Sequence, residues 1–169
     1  KDYMMSAVED SLLRLQTDHI DLYQSHFDDA ETSQEETMEA YAALISQGKV
    51  RAIGASNFTA QRLSDALQIS ERFGYPAYQS LQPRYNLYDR EEFEVLLEPR
   101  CREAGLGVIS YSSLASGFLT GKYQSVDDLG KSVRGMHAGH YLNPRGFRIL
   151  HALERVANHY GVKPASVAL

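Results

Sequence analysis

Apolar residues along this chain alternate between two periods, and the alternation predicts its elements. Residues 4–16 place Met4, Met5, Val8, Leu12, Leu13 and Leu15 at helical spacing, with Glu9, Asp10 and Arg14 on the polar side. Residues 20–26 (Ile-Asp-Leu-Tyr-Gln-Ser-His) read as a strand. Residues 34–47 return to helical spacing through Met38, Tyr41, Ala42, Leu44 and Ile45, and Gly48 is a natural stop. Residues 50–55 predict a second strand, 59–73 a helix with Leu63, Ala66, Leu67 and Ile69 on one side, and 77–82 a third strand. A helix over 90–104 ends at Gly105, and 107–111 predict a fourth strand. A Gly- and Ser-rich stretch runs from Ser112 to about Asn143, read as a long loop whose part over 123–143 is mobile. Residues 144–160 predict a last full helix with Phe147, Leu150, Leu153, Val156 and Ala157 inward and Gly161 as its cap; a further helix starts at Pro164.

The strands recur roughly every 30 residues, each pair bridged by one helix, which is the pattern of parallel βα units. Four parallel strands alone leave two bare edges, and an eight-unit barrel needs on the order of 250 residues. The expectation is therefore about four central units of a (β/α)8 TIM barrel with flanking helices, residues 1–169 forming a single barrel domain truncated at both ends. The start at Lys1 and the stop at Leu169, just inside a new helix, are read as cuts within a longer protein. Each strand ends in polar or aromatic residues: Ser25-His26, Ser56-Asn57, Gln82 and Tyr111-Ser112. Barrels of this class carry their chemistry at that rim. Strand alternation puts Leu22, Gln24 and His26 on one face and Asp21, Tyr23 and Ser25 on the other, which makes Tyr23 a poor pocket candidate.

Composition narrows the class without choosing a function. Hydrophobic residues are 43% and charged residues 23% of 169, ordinary for a globular domain. A formal charge of −5 gives no electrostatic reason to bind nucleic acid or an anionic membrane. No apolar run reaches the roughly 18 residues of a membrane span. The single Cys101 excludes an internal disulfide framework and makes a reducing, cytoplasmic setting the default.

Four motifs in order carry a resemblance. They are residues 20–26, Gly48-Lys49-Val50-Arg51-Ala52-Ile53-Gly54-Ala55-Ser56-Asn57-Phe58, Gln82-Pro83-Arg84-Tyr85-Asn86-Leu87, and residues 111–123 ending Leu119-Thr120-Gly121-Lys122-Tyr123. Together they resemble the aldo-keto reductase family, in particular its bacterial branch that is similar to potassium-channel β subunits. The resemblance implies reduction of small aldehydes and ketones with NADP(H). It makes His26 the active-site histidine. Ser56, Asn57 and Gln82 would hold the nicotinamide carboxamide, Tyr111 would stack on the ring, and Ser112, Leu114, Gly117 and Lys122 would line the pyrophosphate path. The residue types suit those tasks. Amide side chains match a carboxamide's donor and acceptor, and small residues let backbone N–H groups approach phosphate. A histidine can donate to an oxygen on which negative charge builds.

Of the family's Asp, Tyr, Lys and His tetrad only the histidine stands here, so the chain by itself is expected to be inert. A non-catalytic cofactor-sensing subunit, acting through a partner surface, is the rival reading. A barrel aldolase is a third, opposed by the lack of a lysine at an inward strand end. Homo-oligomerisation, or pairing with the remainder of the barrel, would cover the bare edges. Each candidate also has a plainer role: Ser56-Asn57 as a helix N-cap before Thr59, Gln82 as a buried amide serving backbone, Tyr111 as core, Lys122 as surface. His137 and His140 lack a nearby carboxylate or thiol and are not taken as metal ligands. The acidic run Asp28, Asp29 and Glu31 reads as a solvated loop, Cys101 as a packed thiol, and Arg134 carries no assignment.

Overall fold

In the computed structural model, which describes residues 1–169, the chain divides into two compact units. One comprises residues 1–83 and 95–109, the other residues 84–94 and 110–169.

The first unit is built on a four-stranded sheet, β1 (Ile20–Ser25), β2 (Val50–Ser56), β3 (Ser80–Gln82) and β4 (Gly107–Val108), paired in chain order and parallel throughout. Parallel neighbours need a crossover, supplied by α2 (Gln34–Ser46), α3 (Ala60–Phe73) and α4 (Glu98–Ala104). The helix α1 (Asp2–Leu15) precedes β1. Helix ends follow local chemistry. The Thr59 side chain accepts from the Arg62 N–H at the start of α3, and Gly74 and Gly105 close α3 and α4 in the left-handed conformation. The core lies between sheet and helices: Val8, Met38, Tyr41, Leu44, Val50, Ile53, Leu63, Tyr78 and Leu81 are buried.

Several expectations are corrected here. The ladder of β1 ends at Ser25, so His26 lies past the strand rather than on it. The third and fourth strands pair over only three and two residues, although Gln79 N–H to Ile53 and Ile109 N–H to Leu81 prolong the backbone bonding. The helix expected over 90–104 opens as a π-helical segment, Glu92–Leu97, before α4. Pro99 has no N–H for the Val95 carbonyl, which removes one bond a regular α-helix would need there. In α1 only Val8 and Leu12 are buried, and Leu13 and Leu15 are exposed.

The second unit has its own core of Ala115, Phe118, Leu119, Tyr123, Ala138, Tyr141, Leu150 and Leu153. The stretch read as one long loop holds three 3₁₀ segments, Ala115–Thr120, Val126–Lys131 and Gly135–Tyr141, and six of the eight residues of this core come from it. Aromatic rings explain its order. Phe118 stacks on Tyr141 at 5.7 Å and meets Phe147 edge-on at 6.1 Å. The last long helix, α5 (Pro144–Tyr160), begins at Asn143, whose side chain accepts from the Gly146 N–H at 3.0 Å. It buries Gly146, Leu150, Leu153 and Ala157. Val156, expected inward, is 41% exposed because the stripe set by Leu153 and Ala157 leaves it on the flank. A short α6 (Pro164–Ala168) follows. No helix is long and apolar enough to cross a membrane.

Candidate functional site

The register of the sheet decides which residues can share a face. Gln24, Gly54, Ser80 and Gly107 stand in one row across the four strands. Two residues further on, Ser56 pairs with Gln82, at the carboxyl ends of their strands. The same face is therefore polar in two successive rows.

At this rim the side chains are wired through main-chain oxygens. The buried Ser56 hydroxyl donates to the Gln82 carbonyl at 2.8 Å. The Asn57 amide donates to the His26 carbonyl at 2.8 Å and to the Ser56 hydroxyl at 3.1 Å. Asn57 holds a left-handed backbone, φ 56°, which asparagine enters more readily than most residues with a Cβ. Four of the proposed residues, His26, Ser56, Asn57 and Gln82, are thus brought together in the first unit. The N-cap reading of Ser56-Asn57 is excluded, since Thr59 performs that task.

The His26 ring is exposed and lies on Phe27, ring centres 4.3 Å apart. Past the end of the ladder the alternation of β1 no longer governs it. The cavity of about 420 Å³ takes in Tyr23 and His26 together with Gln24, Phe27 and Tyr41, residues from either face of β1. Within it Tyr23 keeps to the α2 side, its ring centre 6.2 Å from that of Tyr41. Behind the rim Ser25 joins two buried phenols, Tyr41 at 2.6 Å and Tyr78 at 3.2 Å. Burial pushes the Tyr41 phenol up and the Tyr78 phenol up to about 12, so both stay neutral. The loop after His26 is clamped from α3: the Arg62 guanidinium donates to both Asp28 oxygens at 2.6 and 2.7 Å and to the Asp29 carbonyl at 3.2 Å. One residue of the acidic run is therefore a structural anchor. Asp29 is held below the usual carboxylate range by the Thr32 hydroxyl and the Glu31 N–H.

In the second unit Tyr111 is half-buried and bridged to Arg84, and its carbonyl accepts from the Tyr85 N–H at 3.2 Å. Beyond it the backbone turns left-handed at Ser112, Ala115, Ser116, Gly117 and Gly121. Positive φ at three non-glycine residues within five positions marks a backbone held for a purpose. The Leu114 carbonyl accepts from the Gly117 and Leu119 N–H groups at 2.9 and 3.2 Å. A Cβ on Gly117 would fall 2.9 Å from Lys122 Cε and 3.1 Å from its ammonium, so the missing side chain makes room for that cation. The Lys122 ammonium lies 4.9 Å from the centre of the Tyr123 ring. Within this run the N–H groups of Ala115, Gly117, Leu119 and Gly121 donate to main-chain carbonyls.

Other candidates are placed without a site. No group of three or more His, Cys, Asp or Glu side chains is arranged to hold a metal ion. His137 and His140 are exposed, the latter against Tyr141. Cys101 is buried, and burial pushes its thiol up, away from reactivity.

A family model for aldo/keto reductases matches residues 1–169. The chain belongs to the aldo/keto reductase family. An uncharacterized oxidoreductase of Bacillus subtilis is 44% identical over 116 residues, 68% of this chain and 35% of the relative. A putative aryl-alcohol dehydrogenase of Schizosaccharomyces pombe is 33% identical over 169 residues, 99% of this chain and 48% of its own. A probable voltage-gated potassium channel β subunit of Oryza sativa is 30% identical over 174 residues, 100% of this chain and 53% of the relative. The chain thus spans about half, or less, of the length of these curated relatives.

Two supporting contacts escaped the sequence. Arg62 reads as an ordinary polar-face residue of a helix, and its pairing with Asp28 bridges 34 positions. Asn86 sits in a turn-like Asn-Leu-Tyr-Asp run, yet it is buried and bonded on all sides. Its place between Gln82 and Tyr111 in the motif order was the available signal.

Proposed function

We propose that this chain is the nicotinamide-gripping part of a (β/α)8 barrel that reduces aldehydes or ketones with NADPH. The observation that supports it most directly is the hydrogen-bonded rim of Ser56, Asn57, Gln82 and His26 at adjacent parallel strand ends. The residues fit the cofactor chemically. Amide and hydroxyl groups suit a carboxamide, and the left-handed run from Ser112 to Gly121 beside Lys122 suits a pyrophosphate.

When bound, NADPH supplies the hydride. Ser56, Asn57 and Gln82 orient its carboxamide, and Tyr111 covers one ring face so that transfer is directed from the other. Ser112, Leu114, Gly117 and Lys122 hold the pyrophosphate. His26 orients the carbonyl and donates to its oxygen as charge develops there. The family's Asp, Tyr and Lys lie outside these 169 residues, so the chain alone is inert and the proton comes from the intact protein. A small carbonyl compound is the substrate, and the reducing setting suggested by a lone buried Cys101 is cytoplasmic.

The test uses the full-length protein, with NADPH oxidation followed in the presence of aromatic and aliphatic aldehydes. Turnover is expected, with Asn57→Ala and Gln82→Ala raising the cofactor KM about tenfold each, the scale of one lost polar contact. Absence of NADPH binding would end the reading. Similarity to the rice protein named as a channel β subunit supports a second one, a cofactor-sensing subunit. Tight NADPH retention with negligible turnover would favour it.

A further inference from the structure

We propose that Asn86 is a positioning residue for Tyr111 and Ser112, holding the strained start of the phosphate-facing backbone through the Ser112 carbonyl. The proposal rests on the cofactor role of Tyr111 and Ser112 given above and adds the device that keeps them in place.

The segment 84–86 is fastened to 111–112 at three successive points. Arg84 bridges Tyr111, the Tyr85 N–H donates to the Tyr111 carbonyl at 3.2 Å, and the Asn86 amide donates to the Ser112 carbonyl at 3.1 Å. Asn86 is only 5% exposed. Its Oδ1 accepts from the Tyr88 and Asp89 N–H groups, both at 2.9 Å. Those two backbone donors fix which end of the amide is oxygen, so the NH₂ must face Ser112. Its other hydrogen goes to Asp89 Oδ2 at 2.9 Å. Asp89 in turn accepts from the Tyr141 hydroxyl at 2.6 Å, which ties the chain of bonds to the buried core of this unit. Every polar atom of Asn86 is thereby used, and its orientation leaves no alternative.

Ser112 is where such support is needed. Its φ of 57° is disfavoured for a residue with a Cβ, and the residue is exposed; its carbonyl accepts from the Ala115 N–H at 2.8 Å, a bond local to the turn. The Asn86 donor adds the second bond to that carbonyl and ties the turn to a buried side chain outside it. Tyr111 immediately precedes it, so slack at Ser112 turns the ring as well as the amides that follow.

The experiment uses the full-length protein. Tyr111→Ala comes first: if it leaves NADPH affinity unchanged, the cofactor reading of Tyr111 fails, independently of Asn86. With that established, Asn86→Asp keeps the acceptor for the Tyr88 and Asp89 N–H groups but can donate neither to Ser112 nor to the Asp89 carboxylate, which it faces with a like charge. It should raise the NADPH dissociation constant about tenfold while kcat at saturation changes less than about threefold. Adding Ser112→Gly, which removes the penalty on positive φ, should recover part of the affinity. A purely structural asparagine would show no such rescue. A folded Asn86→Asp protein that binds NADPH like the parent, or a double variant no better than the single, overturns the proposal. Should Asn86→Asp fail to fold, Tyr141→Phe removes the support one bond further out; an unchanged dissociation constant there overturns it equally.

Discussion

The Asn57 side-chain amide donates to the main-chain carbonyl of His26 at 2.8 Å, joining the ends of two neighbouring parallel strands across 31 positions of sequence. One residue thereby does two jobs: it ties the histidine-bearing loop to β2 and tolerates the left-handed turn that leads into α3. The two can be separated. Asn57→Gly keeps the turn and loses the tie; Asn57→Ala loses both. Denaturant midpoints should rank parent above Gly above Ala, with about 1 kcal/mol between the two variants from the penalty on positive φ. Equal midpoints for the two would show that the backbone there relaxes freely.

The Asp28–Arg62 pair carries the same loop from the other side. Both side chains are mostly buried, 16% and 28% exposed, and the contact is bidentate. A lysine cannot reproduce the fork. Arg62→Lys should cost about 1–2 kcal/mol and Asp28→Asn somewhat more, because it leaves a guanidinium without its counter-charge. Chemical unfolding in low and high salt checks this. A loss below about 0.5 kcal/mol for both would mean that water replaces the carboxylate without penalty.

Tyrosine burial predicts the alkaline limit of the first unit. The Tyr78 phenol is pushed from 10.0 to about 12 by burial, against a lowering by its bond to Ser25. A group that binds its proton more tightly when folded contributes fully below its unfolded pKa and loses that contribution as pH rises through the folded value. Stability should therefore be flat with respect to Tyr78 up to about pH 9.5, then fall across pH 10–12 by at most about 2–3 kcal/mol. Tyr78→Phe removes this dependence along with the 3.2 Å bond to Ser25. Unfolding free energies across that range, with tyrosinate absorbance in parallel, give the comparison; a variant that loses stability as steeply as the parent would contradict it.

How far the sequence reached depends on the range of the forces involved. β1 and β2 were readable because apolar runs and glycine or polar stops are local. The π-helical segment near Pro99 and the short pairing of β3 and β4 depend on backbone partners elsewhere, which periodicity does not encode. The 112–143 stretch looked featureless for a similar reason. Its glycines and serines break up any period, while its order comes from Phe118, Tyr123 and Tyr141 packing in one cluster with α5. At the rim, Ser56, Asn57 and Gln82 were legible from strand-end position. The place of His26 past the end of the ladder was not, because where a strand stops depends on its neighbour's backbone.

Gly54 offers the sharpest check on the polar face beneath that rim. Its backbone is not left-handed; the constraint is space. A Cβ there would collide with Ser80 Oγ and fall 3.0 Å from Gln24 Cγ, so Gly54→Ala forces both neighbours to move. Ser80 Oγ and Gln24 Oε1 are also buried without a hydrogen-bond partner, so neither is anchored by a bond it would lose. The cost should be that of overpacking, about 1–3 kcal/mol. Ser80→Ala alone should be neutral or slightly stabilising, since it deletes a buried unsatisfied hydroxyl. In that background Gly54→Ala should cost less than half as much, because the nearest obstructing atom is gone. A double-mutant cycle by chemical denaturation measures the coupling. Strict additivity of the two substitutions would mean that the row Gln24, Gly54 and Ser80 does not pack as one layer.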